Sequence, residues 1–158
     1  MADSQSAMLE AALMSTISDA KNALALEVAA NLAEACPFDT GHARANFVPS
    51  VTVPFEGVVD GGAAIASGSA QVLAAKLADD VFVTNNVPYL PFLIAGSSSQ
   101  APPGWDLAAI DRAVASVNAQ YSEVHFDTSG ARTAAVTQRG ASAASNVASA
   151  YSPFGGDE

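Results

Sequence analysis

The sequence predicts an α+β fold. A long N-terminal helix and two further helices pack on a small antiparallel β-sheet, and an extended C-terminal arm follows. Three observations carry this. Residues 5–35 contain neither Gly nor Pro and repeat apolar residues at helical spacing. Short β-branched runs bounded by Pro, Asn and Gly follow. After Phe126 large apolar side chains become sparse. The expected organisation is a domain over residues 1–126 and a flexible Ala/Ser-rich arm over residues 127–158.

In the first helix the expected apolar face is Leu9, Leu13, Ile17, Ala20, Leu24, Val28 and Leu32. Ser4 or Ser6 is a fitting N-cap, and Pro37 stops the helix. At 1.5 Å per residue such a helix is about 45 Å long. A small sheet cannot cover that length, so part of the face is expected to meet another subunit. Asp39-Thr40-Gly41 marks a turn. Residues 45–60 read as extended, with Pro49 and Pro54 favouring an edge strand. Ala64 to Leu77 reads as a short helix weakened by Gly68. Residues 80–85 form the strongest strand signal. Tyr89 to Ala95 fits either a helical turn or a buried strand. Pro102 and Pro103 precede a last helix from about Trp105 to Tyr121, with Leu107, Ile110, Val114, Val117 and Tyr121 on one face.

Composition narrows the function classes. The 158 residues include 6 Lys or Arg against 16 Asp or Glu, a formal net charge of −10. That argues against gripping nucleic acid, which needs clustered cations to neutralise phosphates, and against docking on an anionic membrane. The single cysteine, Cys36, excludes an intrachain disulfide. The acidic N-terminus lacks the pattern of a signal peptide, and no apolar run is long enough to span a bilayer. A soluble protein of a cytoplasm-like compartment is expected. Half the residues are apolar, but many are alanine, which buries little area. A core this light is expected to draw stability from neighbouring subunits.

Asp39-Thr40-Gly41 also spells the triplet of an aspartic protease, whose homodimers use one such carboxylate per chain. Its flanks, Cys36-Pro37-Phe38 and His42, differ from the apolar strand expected there. The preferred reading is a turn whose Asp and Thr side chains satisfy nearby backbone groups. His42 and His125 could ligate a metal with Asp39 or Asp127, but the spacings match no ligand set. Cys36 reads as a small buried apolar residue. No cofactor motif is present in the sequence. Arg44, one of few cations, is expected to form an ion pair with a carboxylate.

Three segments carry a resemblance. Residues 37–47, PFDTGHARANF, are similar to a "P-x-D-T-G-x-x-R-x-x-(aromatic)" turn that follows a long helix in the neck and tail-completion proteins of long-tailed bacteriophages. Residues 81–93, VFVTNNVPYLPFL, resemble that family's "V-x-I-x-N-N-x-P-Y-A-x-x-L-E-x-G". Residues 99–105, SQAPPGW, resemble its "S-x-Q-A-P-x-G-(apolar)". The blocks stand in the family's order. One departure is Ile94-Ala95-Gly96, where the family often has Glu-aromatic-Gly. The ion pair made by that Glu is missing here, so Arg44 would use another acid.

The resemblance implies a virion structural protein and no enzyme. Such proteins form homo-oligomeric rings, hexameric or dodecameric, at the head–tail junction, reached from the host cytoplasm during assembly. They complete or terminate the tail, and DNA passes through the lumen without specific binding. Connector and tail-tube proteins would be the partners. A stopper or head–tail adaptor of the same neck is the nearest alternative, and a protease or a free-standing binding domain are remoter ones. Under this reading Asp39, Thr40 and Gly41 set the turn. Phe47, Val81, Phe82, Val83, Tyr89 and Leu93 pack the sheet against the helices. Val136, Val147, Tyr151 and Phe154 in the arm would bind an adjacent subunit. The negative charge is expected to face the channel, where it would let DNA slide.

Overall fold

Helix α1 runs from Ala2 to Ala35 in the computed structural model, which describes residues 2–60 and 64–128. An unbroken series of good helix formers sustains it, and Pro37 ends it. A single 3-10 turn at Arg44–Asn46 leads into β1, Val48–Val51. Helix α2 is Ala64–Leu73, β2 is Val81–Thr84, α3 is Leu90–Ile94 and α4 is Trp105–Gln120. The chain is α+β, with a two-stranded antiparallel sheet. It divides into two units, Met1–Phe126 and Asp127–Glu158. Val136, Val147, Tyr151 and Phe154 lie outside the described residues.

Strands β1 and β2 pair in the register Val48↔Thr84, Pro49↔Val83, Ser50↔Phe82 and Val51↔Val81. Each strand of a two-stranded sheet has an unpaired edge, so the N–H that Pro49 lacks need not break the ladder. The extended segment expected over 45–60 shrinks to these four residues of β1. Its beginning is the 3-10 turn. Its end is a loop pinned by side chains, which stand in for a strand neighbour. Asn46 Nδ2 donates to the Val59 carbonyl (3.0 Å), and Asn46 Oδ1 accepts from the Val59 N–H (2.6 Å). Thr84 Oγ1 and Asn86 Nδ2 both donate to the Phe55 carbonyl. Asn46 is fully buried and also donates to the His42 carbonyl, so its burial leaves neither end of the amide unsatisfied.

Helix α2 packs on β1 through Gly68. A β-carbon there would overlap the Pro49 carbonyl oxygen and lie 2.8 Å from Pro49 C and Cγ. The glycine read as a weakness of the helix is therefore what lets it approach the strand. Helix α2 ends before the expected Leu77, and α1 receives the carbonyls beyond that end. Ser18 Oγ (3.2 Å) and Asn22 Nδ2 (2.7 Å) donate to the Ala75 carbonyl. The Lys21 ammonium donates to the carbonyls of Lys76 (2.6 Å), Leu77 (3.2 Å) and Asp79 (2.6 Å). The ammonium thereby gathers three main-chain carbonyls of the loop that follows α2.

The core is built from small residues. Helix α1 packs most extensively on α4. Ala20, Ala25, Ala29 and Leu32 of α1 and Cys36 just beyond it are buried, as are Ala109, Ile110, Ala113, Val114 and Val117 of α4. Alanines on both helices let the backbones come close, so dispersion over many short contacts replaces a few bulky insertions. The expected face of α1 holds only in part. Ala20 and Leu32 are buried and Leu24 and Val28 half-buried, but Leu9 and Leu13 are exposed.

Candidate functional site

The three segments singled out in the sequence meet in one place. The first begins where α1 stops. Gly41 takes φ +79°, which favours glycine, and its carbonyl accepts from the Ala45 N–H (2.9 Å) to start the 3-10 turn. Thr40 Oγ1 accepts from the His42 N–H (3.4 Å). Asp39 is exposed, and its carboxylate hydrogen-bonds to no described residue. It is not the backbone-satisfying group the sequence suggested.

The ion pair expected of Arg44 is absent among the described residues. Arg44 Nη2 instead donates to the Cys36 carbonyl at 2.9 Å, and the guanidinium lies 5.1 Å from the centre of the Phe38 ring. Its partner is the negative end of α1 together with an aromatic face. The Cys36 carbonyl at the end of α1 thus takes the place of the carboxylate expected to face Arg44. Arg44 Nε is buried without a hydrogen-bond partner.

The second segment is tied to the first by its asparagines. Asn85 Nδ2 donates to the Ala43 carbonyl (2.8 Å), while Asn85 Oδ1 accepts from the Val87 N–H (3.1 Å). The Asn86 amide reaches the loop carbonyls of Phe55 (2.6 Å) and Gly57 (3.1 Å). The residues after Pro88, which fitted two readings, form helix α3, with a proline in its first turn. The third segment closes the joint. Gln100 brackets Phe38, accepting from its N–H (2.8 Å) and donating to its carbonyl (2.6 Å). Trp105 Nε1 donates to the Leu93 carbonyl (3.0 Å). Its ring meets Phe47 edge-on, with centroids 6.5 Å apart and an interplanar angle of 87°.

The residues expected to pack the sheet divide accordingly. Phe47 is buried at 4% exposure. Val81, Phe82, Val83 and Leu93 are half-buried. Tyr89 is 42% exposed and is a surface residue, contrary to expectation. It sits where the chain turns into α3, and the buried positions beside it are Val87 and Leu90. Sequence reasoning missed Asn46 and Lys21, whose acceptors are main-chain carbonyls. It also left Trp105 as a helix start, although this residue joins two of the segments.

An open groove of about 360 Å³ lies over the joint, lined by residues 37–43 with Tyr89, Leu93, Ser98 and Gln100. Asp39 and His42 face it, but no cluster of three His, Cys, Asp or Glu that could hold a metal occurs among the described residues. Burial pushes the Cys36 thiol up to about 11, a rise that the nearby Arg44 charge opposes. The thiol is therefore protonated at neutral pH and is a poor nucleophile. Asn85, Gln100 and Trp105 each donate to a main-chain carbonyl of another segment. No family model, curated protein or solved structure matches the chain.

Proposed function

We propose that this chain is a structural subunit of a long-tailed phage virion, a neck or tail-completion protein that forms a homo-oligomeric ring at the head–tail junction. The observation that carries the reading is the joint. The first of the three segments resembling that family is far in sequence from the other two, yet all three bond to each other through Asn85, Gln100 and Trp105. Those groups do the work of bracing loops. Two further features support the reading. A net charge of −10 suits a channel wall past which DNA slides, since like charge gives phosphates nothing to hold. The small-residue core and the exposed first half of α1 suit a subunit stabilised by its neighbours.

The test is direct imaging of the purified chain, alone and added to tail tubes. Closed rings with an acidic lumen that cap the tubes are the expected result. A chain that stays monomeric in both conditions, or a ring whose lumen is basic, refutes it.

A further inference from the structure

Residues 4–15, the first part of α1, are exposed throughout. Met8 and Leu9 are 74% and 73% exposed, and Leu13 and Met14 are 47% and 45% exposed. Glu10 is the single charged residue in this stretch. A solvated helix usually carries a charged face, whereas a stretch with large apolar residues in the open and a single charge is one that other protein or lipid covers.

The apolar residues fall on two flanks. At about 100° per residue, Met8, Leu9, Ala12 and Leu13 share one arc of about 140°, with Gln5 on the same arc at its N-terminal end. Ala7, Ala11 and Met14 share a second arc of about 60°. Ser6 and Glu10 separate the arcs on one side, Ser4 and Ser15 on the other. One flat partner covers one flank and leaves the other wet. The flanks also differ in relief: the broad one carries two leucines and a methionine, the narrow one two alanines and a methionine.

We propose that this half-helix is the joint between copies of the chain, with the Met8–Leu9–Leu13 flank of one copy packing on the Ala7–Ala11–Met14 flank of the next. The alanines leave room that the leucines fill. Because the two flanks are different surfaces, the contact is head to tail and repeats from copy to copy. Charge narrows the choice of partner. Copies at −10 repel each other, and 4–15 is a stretch where they can approach with a single acid apiece. The same net charge disfavours an anionic membrane, and no described helix is long and apolar enough to cross one. The inference rests on the reading that copies assemble, and it names the surface they use.

The experiment uses the full chain, with mass followed by sedimentation across the micromolar range. Wild type is expected to grow beyond the dimer. Leu9→Glu with Leu13→Glu spoils the broad flank, and Ala7→Glu with Ala11→Glu spoils the narrow one. Each pair should weaken association by about 100-fold or more. Mixed in equal amounts, the two variants retain one good flank each, so they should form a heterodimer and stop there. Unchanged assembly of either variant, or a mixture that stays monomeric, overturns the proposal. Because glutamates could fray the helix, a chain carrying Leu9→Cys and Ala11→Cys provides a second readout. Oxidation should yield a ladder of linked copies, and monomers alone count against the joint. Rings that survive both glutamate variants refute this surface and leave the ring reading standing. Open chains built through α1 support the surface and count against the ring.

Discussion

Replacing Gly68 by alanine should destabilise the protein, against the usual sign. In an ordinary helix interior Gly→Ala gains about 1 kcal/mol, because alanine loses less backbone freedom on folding. At Gly68 the new methyl would overlap the Pro49 carbonyl oxygen and stand 2.8 Å from Pro49 C and Cγ. These are mostly backbone atoms, paired through β1 to β2, and they cannot rotate aside as a side chain tip can. Helix α2 must move off the strand, loosening Ala64 and Val72, which are both 0% exposed. Overpacking of this kind costs about 1–3 kcal/mol, and loss of close packing on two buried residues adds to it. After the gain in propensity the net loss should be about 2 kcal/mol, or roughly 5–10 °C in Tm for a domain of this size. Thermal unfolding followed by circular dichroism measures it. An unchanged or raised Tm would mean that α2 does not rest on β1 at backbone distance, and the packing argument would fall.

Two further predictions concern the joint. Arg44→Lys keeps the charge but loses the planar group stacked on Phe38 and the directed bond to the Cys36 carbonyl, so chemical denaturation should show a loss of about 1–2 kcal/mol. Recovery of full stability by lysine would show that charge alone matters there. The Cys36 thiol titrates near 11 in the folded chain against an ordinary value of 9.0. Between those values the unfolded chain releases the proton and the folded chain keeps it, so stability should fall as pH rises through that window. Cys36→Ala should flatten that part of the profile, and alkylation of the native thiol at neutral pH should be slow until the protein unfolds.

Much of the local structure was legible in the residues themselves. The absence of Gly and Pro over 5–35 set α1, Pro37 and Gly41 marked its end and the turn, and the β-branched run at 81–84 marked β2. These are signals of period and of backbone restriction, and they act over a few neighbours. The tertiary structure alone decided the bonding. Arg44 faces the end of α1 and an aromatic ring, Lys21 holds the carbonyls beyond α2, Asn46 substitutes for a strand, and Gly68 seats a helix. All but the ring are contacts with the main chain. Every residue carries the same carbonyl, so an acceptor of that kind leaves no trace in residue type. Only the fold determines which carbonyl a given side chain will meet.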